Sequence, residues 1–375
     1  MIPMFSTAAV NDRSVVMAAV ERVVESQRLI LGGECAAFEQ EFGAYLGFGE
    51  GHCAGVANGT DALELALRAL GVHVGASVVT TANAGFYASA AIHAIGATPV
   101  YADVDDTTLT LCPEALSKVL AVLPARPAAI VVTHLYGRLA EMGALVAIAE
   151  NSGIALVEDC AQAHGARRAG RAAGSFGALG CFSFYPTKNL GAVGDGGAVV
   201  SRDRDLIERI RALRQYGWAS KYRLAIPYGR NSRLDEIQAA VLRDKLPLLE
   251  DWNAERRAIA GRYDAAFADL EVVRPGGIDE DYVGHLYVLR VGDRDGFRSR
   301  LAAEGIASDV HYPVPDHLQE HPRGGIVPRP LTVTEAASRQ VVSLPCFPGL
   351  SPDDVEAVVT GVRRAAIGLA ASERG

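Results

Sequence analysis

The 375-residue chain reads as an α/β protein: a mostly parallel central sheet sandwiched by helices, with a smaller C-terminal α+β domain. Three observations carry that expectation. Short β-branched apolar runs recur, turn residues bound each run, and helix-like stretches separate them. "SVVTT" (77–81), "TPVYAD" (98–103), "AAIVVTHL" (128–135), "GIALVED" (153–159) and "GAVVS" (197–201) have the look of buried strands. Between them, "TDALELALRAL" is expected to start at a capping Thr60 and stop at Gly71, and "EMGALVAIAENSG" to end at Gly153. Such alternation implies parallel strands covered on both faces. After about residue 230 the texture changes. "RLDEIQAAVLRDKLPLLEDWNAERRAIAGRYDAAF" reads as two helices meeting near Pro247. A strand-like "GHLYVLRVG" (284–292), a helix near 295–304 and a last helix from Ser351 follow. A boundary near 245–255 divides a large domain (1–250) from a small one (251–375), with the N-terminal segment packing on the small domain.

Composition narrows the function classes. Hydrophobic residues make up 49% and charged residues 21%, and the net charge of −8 disfavours a phosphate-backbone binder. A small anion at a local site stays open. The six cysteines are scattered singly, without C-x-x-C pairs or zinc spacing, and read as buried small hydrophobes in a reducing compartment. "MIPMFSTAAVNDR" lacks the charged start and apolar stretch of a signal peptide, and no run of about 18 apolar residues occurs. A soluble cytoplasmic protein is expected.

"CFSFYPTKNLGAVGDGGAVV" (181–200) sets one lysine, Lys188, among aromatics, small residues and glycines. Ligands of α/β proteins bind beyond the carboxyl ends of the strands. Those ends deliver Asp159, His134 with Tyr136, Ser183 with Lys188, and Asn58, Gly59 and Thr60 at a helix start. The helix start is either a plain N-cap or a phosphate site, since free N–H groups and the dipole attract anions there. A carboxylate closing a buried strand needs a partner, so Asp159 pairs either with Arg167 or Arg168 or with a cofactor cation. Gln162 would lie beside it, and His164 reads as a core or supporting histidine. A lysine in an apolar pocket loses basicity and becomes a nucleophile for carbonyls. Pyridoxal phosphate needs such a lysine, a carboxylate for its ring nitrogen and a phosphate cradle. Lys188, Asp159, and Gly59, Thr60 and Ser183 meet those three needs. Two rivals fail on spacing: "GAVGDGG" precedes a strand and lacks G-x-G-x-x-G, and only two residues separate Tyr185 from Lys188 where short-chain dehydrogenases have three. Asp103 and Asp105 read as turn formers.

The chain resembles the DegT/DnrJ/StrS family of sugar aminotransferases, enzymes of the aspartate aminotransferase fold (fold type I). The blocks that carry the resemblance are "RLILGGECAAFEQEFGAYLG", "NGTDALELALRALG", "THLYGRLAEM", "VEDCAQAHGA", "GCFSFYPTKNLGAVGDGGAVV", "GRNSRLDEIQAAVLRDKLPLL" and "HYPVPDHLQ". It implies a Schiff base between Lys188 and pyridoxal phosphate, with Lys188 then shuttling the proton. It also implies Asp159 at the pyridine nitrogen, Gln162 at the phenolic oxygen or on the ring, and Gly59, Thr60 and Ser183 at the phosphate. Asn231 would reach the phosphate of a neighbouring subunit, which requires a homodimer with shared sites. The expected cycle takes the amine from glutamate through pyridoxamine phosphate to a keto-sugar. Relatives with histidine at the lysine position dehydrate sugars, so Lys188 favours transamination.

In "ANAGFYAS" (82–89), Gly85 falls where the resemblance puts an aromatic against the cofactor ring; either Phe86 or Tyr87, which follow, could stack there, and Phe86 is the one assigned. "HYPVPDHLQ" (311–319) is similar to the version in enzymes that aminate C3 of dTDP-linked 3-keto-6-deoxyhexoses. His311, Tyr312, His134 and Tyr136 are the candidates for touching the sugar. A 4-keto nucleotide sugar, a keto-sugar without a nucleotide, or a non-catalytic relative are the alternatives.

Overall fold

Seven strands form one sheet in the computed structural model, which describes residues 1–274 and 276–372. Helices α1 (Arg13–Ser26) and α2 (Gly33–Tyr45) lead to strand β1 (Cys53–Val56). The alternation then runs α3 (Gly59–Ala69), β2 (Ser77–Thr80), α4 (Tyr87–Ile95), β3 (Thr98–Tyr101), α5 (Pro113–Leu120), β4 (Ala129–Thr133), α6 (Met142–Ser152) and β5 (Ala155–Asp159). A minimal hairpin, β6 (Arg167–Arg168) and β7 (Arg171–Ala172), precedes β8 (Leu179–Ser183) and β9 (Gly197–Val200).

The sheet order is β1-β9-β8-β5-β4-β2-β3. Strands β3, β2, β4, β5 and β8 run parallel, while β9 is antiparallel to both β8 and β1. A parallel return needs a crossover of a dozen or more residues, usually a helix. The loop 184–196 contains no helix, so the chain comes straight back as β9. The five runs read as strands from the sequence are all strands here. Strand β1 was not foreseen, because "CAGV" lacks β-branched bulk. Its Gly55 is pressed by Leu234, whose Cβ would lie 3.0 Å from a Cβ at position 55.

Two apolar layers enclose the sheet. One gathers Phe38, Phe42, Phe182, Phe184 and Leu242, the other Leu63, Leu67, Ile92, Ile207 and Ile210. After β9 come α7 (Arg204–Leu213), the exposed hairpin β10 (Trp218–Ser220) and β11 (Arg223–Leu224), α8 (Glu236–Lys245) and α9 (Leu249–Ala266). Helices α8 and α9 meet at a one-turn 3₁₀ segment carrying Pro247, as expected. A third core combines Tyr263 and Phe267 of α9 with β12 (Tyr287–Arg290), α10 (Arg294–Ala303), β13 (Val341–Leu344) and α12 (Pro352–Ser372); α11 (Thr332–Gln340) lies against β12. The N-terminal segment joins this unit: Ile2 bridges Ile306, and Phe5 packs on Phe347. Among the described residues, no helix is long and apolar enough to cross a membrane.

Two local readings are corrected. The cap of α3 is Asn58, not Thr60: its side chain accepts the Asp61 N–H at 2.8 Å. Asp105 does form a turn, accepting the Thr107 and Thr108 amides, but Asp103 instead takes the Val333 and Thr334 amides at the start of α11.

Glu158 anchors the carboxyl end of the sheet. It is fully buried and accepts the amides of Gly174 (2.9 Å), Phe176 (2.7 Å) and Gly177 (2.6 Å). His134 Nε2 donates to it at 2.9 Å, because His134 Nδ1 is occupied as acceptor of the Ala140 N–H. Removing a buried acceptor leaves those donors unpaired, at about 1–3 kcal/mol for each buried group so stranded. Glu158→Ala is expected to lower stability by about 3–5 kcal/mol, read as a drop in the midpoint of chemical denaturation. An unchanged midpoint would show that the network is dispensable.

Candidate active site

A cavity of about 890 Å³ opens between the carboxyl ends of the parallel strands and the small unit. Gly59 and Thr60 line one end of it. The Asn58 cap consumes the Asp61 amide, and the Gly59 and Thr60 amides of the first turn have no partner among the described residues. The α3 dipole adds partial positive charge there. Glycine is required at 59, since a Cβ would sit 2.6 Å from the Ser183 Cβ. The opening bounded by Gly59, Thr60 and the Ser183 hydroxyl has the free amides and dipole that could hold a phosphate-sized anion.

Lys188 lies in the loop between β8 and β9. The turn that presents it is closed by its own N–H on Tyr185 O (2.8 Å) and by Ala192 N–H on Phe184 O (2.8 Å). Phe184 is buried in the core, so the loop is pinned just before the lysine. Desolvation brings the Lys188 ammonium down to about 8, although the Asp159 charge opposes this. At neutral pH an appreciable fraction is therefore free amine.

Asp159 ends β5 and reaches the same cavity. Burial raises its carboxyl, against the Ala161 amide (3.1 Å) and the Lys188 charge. The arginines do not compensate it. Arg168 pairs with Glu141 and Asp281, and Arg167 reaches the Tyr45 carbonyl. Among the described residues no basic group lies within ion-pair distance of Asp159. A buried carboxylate facing the cavity with no ion-pair partner suits a protonated ring nitrogen brought by a ligand.

Gln162 lines the cavity and joins two tyrosines. Its Oε1 accepts the Tyr136 N–H at 2.6 Å, and its Nε2 donates to the Tyr312 hydroxyl at 3.1 Å. His311 and Tyr312 also line the cavity; His311 is held by Ser343 Oγ at 2.8 Å. Tyr136 does not line it. Its hydroxyl donates to the His311 carbonyl, so it fixes the His311–Tyr312 segment and does not face the cavity. His134 is likewise corrected. It is 0% exposed and spends both ring nitrogens on Glu158 and Ala140, out of reach of any ligand. His134, Glu158 and Cys160 bring their ligand atoms close together, but the Glu158 oxygens are already filled by amides and His134. His164 is a core residue, packed on Phe182 and Phe184 and brought down to about 3 by desolvation.

Phe86 falls outside the cavity lining. It adopts φ +70° at the start of α4, its N–H is held by Asp316, and its ring stacks on His93 at 5.9 Å. Tyr87, 50% exposed, lines the cavity instead, edge-on to Tyr312 at 6.1 Å. Tyr312 explains Gly85: a Cβ there would lie 2.8 Å from its ring. Asn231 is exposed beside Gln215, outside this chain's cavity. Sequence reasoning missed Met4, Phe5, His285, Asp309 and Cys346 as wall residues. His285 had one indirect signal, Asn189, which follows Lys188 and bonds the His285 ring at 3.0 Å.

The model of the DegT/DnrJ/EryC1/StrS aminotransferase family matches residues 11–363. A dTDP-3-amino-3,4,6-trideoxy-alpha-D-glucose transaminase of Streptomyces venezuelae is 44% identical over 356 residues, 92% of this chain and 90% of that protein. A dTDP-3-amino-3,6-dideoxy-alpha-D-galactopyranose transaminase of Aneurinibacillus thermoaerophilus is 41% identical over 367 residues, 97% of this chain and 99% of that protein. The crystal structure of S. venezuelae DesV in complex with a ketimine intermediate superposes with a TM-score of 0.92 at 42% identity, covering 97% of this chain and 98% of that one. The chain belongs to the DegT/DnrJ/EryC1/StrS aminotransferase family and is a pyridoxal-phosphate-dependent aminotransferase.

Proposed function

We propose that the protein moves an amino group from glutamate to C3 of a dTDP-linked 3-keto-6-deoxyhexose. One observation carries the assignment of the site: Lys188, the uncompensated Asp159 and the open first turn of α3 share a single cavity. The choice of sugar is supported by the two relatives that act on dTDP-linked 3-amino deoxysugars, at 41–44% identity.

The residues fit pyridoxal phosphate. Gly59, Thr60 and Ser183 would hold its phosphate, Asp159 would keep a proton on its ring nitrogen, and Gln162 would touch its phenolic oxygen or pack on the ring. Bound there, the cofactor supplies an electron sink for a carbon that gives up a proton. Lys188 is the covalent tether and the proton carrier. Its Nζ takes the proton from the α-carbon of glutamate and, in the second half of the cycle, delivers one to C3 of the sugar. Positioned transfer of this kind contributes about 10²–10⁴-fold in rate. His311 and Tyr312 face the sugar, while Tyr136 sets their position.

A second copy of the chain completes the site. The lining contains Asp159, Asp195 and Asp309, and among the described residues its only lysine or arginine is Lys188. A dicarboxylate donor and a nucleotide diphosphate both need cations. The exposed β10–β11 hairpin carries Lys221 and Arg223, and Asn231 lies beyond it. In a homodimer this basic edge reaches the neighbouring cavity, with Asn231 at its phosphate.

Three outcomes are expected. Covalent capture of pyridoxal phosphate by the apoprotein, followed by visible absorption, should accelerate as pH rises through about 8, where Lys188 loses its proton; a midpoint near an ordinary lysine value would contradict the desolvated amine. Lys188→Ala should cost at least about 10³-fold in glutamate-dependent amination, with the secondary structure unchanged by circular dichroism. In a side-by-side assay, dTDP-linked 3-keto sugars should be aminated ahead of 4-keto sugars; turnover of the 4-keto substrates alone would overturn the assignment.

A further inference from the structure

We propose that Met4 and Phe5, at the head of the chain, form the wall that selects a sugar with a deoxygenated carbon. The inference rests on the keto-sugar reading above and adds to it the feature of the sugar that this end of the cavity recognises. Both residues line the cavity together with Lys188, although more than 180 positions separate them in sequence. The Phe5 ring lies 6.1 Å from that of Phe347, the neighbour of Cys346, which also lines the cavity. Met4, Phe5, Leu286 and Cys346 are apolar members of the cavity lining, which elsewhere carries Thr60, Ser183 and the open first turn of α3. On this reading, with the phosphate at the α3 turn and the reacting carbon at Lys188, the deoxygenated carbon lies against Met4 and Phe5.

The strap bearing these side chains is held at both ends. Ile2 donates to Gly305 O at 2.8 Å and accepts from Ala307 N–H at 3.0 Å. At the other end Lys245, 3% exposed, donates to Asn11 Oδ1 and to Gly191 O at 2.7 Å. Gly191 belongs to the same loop as Lys188, so the strap is tied to the catalytic loop as well as to the small unit. A strap tied in this way holds the two apolar side chains in place at the cavity wall. A hydroxyl placed against it is buried without a partner, whereas a deoxy carbon gains apolar contact.

The test compares matched keto-sugars with and without the 6-hydroxyl in wild-type holoenzyme and in Phe5→Leu, Phe5→Ser and Met4→Thr. The wild type should prefer the deoxy sugar by about 10–100-fold in kcat/KM, the range open to an apolar pocket. Phe5→Leu should keep that preference, while Phe5→Ser and Met4→Thr should each erode it severalfold. A preference that survives both polar variants overturns the wall alone. Wild-type enzyme that aminates neither sugar overturns the keto-sugar reading, and the wall with it.

Discussion

The buried Glu158 carboxylate is the constraint on which the site depends. It gathers three amides of the 174–177 turn and the His134 ring, and so locks the ends of β4 and β5 together. Successive strand residues point to opposite faces. With Glu158 committed to the interior on one side, Asp159 is presented to the cavity on the other. A slip of one residue would exchange the two carboxylates, burying the ring-facing one among amides and exposing the anchor. The pairing of Thr133 with Asp159 in the β4–β5 ladder keeps the register.

A second constraint follows from the absence of a crossover helix between β8 and β9. The chain must reverse within the loop 184–196, and that short return holds Lys188 directly beyond the strand end. Phe184 on the core side and the Lys245 contact at Gly191 leave the loop little freedom. Lys188 thus stays desolvated in a cavity broad enough for a cofactor and a sugar. Stability and reactivity oppose each other here. A desolvated amine and a buried carboxylate without an ion-pair partner share the same space, and a cofactor bound there would relieve both.

The far wall comes from segments remote in sequence. His311 and Tyr312 arrive from the small unit, and Tyr136, in a left-handed conformation at φ +59°, ties them to the end of β4 through the His311 carbonyl and Gln162. Tyr312 fills the space that Gly85 leaves open. The β8–β9 loop, the His311–Tyr312 segment and the N-terminal strap therefore meet over one cavity.

The sequence by itself determined the strand–helix alternation, the break at Pro247, the lysine, the carboxylate and the helix start that open on the cavity. Each of these is a local property: β-branched runs, a missing amide donor, or a residue type at the end of an element. Tertiary structure alone decided which neighbouring side chains turn toward the cavity. His134 sits beyond a strand end as Asp159 does, yet a buried partner captures it. Phe86 and Tyr87 are adjacent, yet the cap geometry of α4 and the Asp316 contact send Phe86 to His93 and leave Tyr87 at the cavity. Met4 and Phe5 carry no local signal at all. Their position is set by a strand bridge to Ile306 and an amine on α8, and contacts of that sequence separation exist only once the chain has folded.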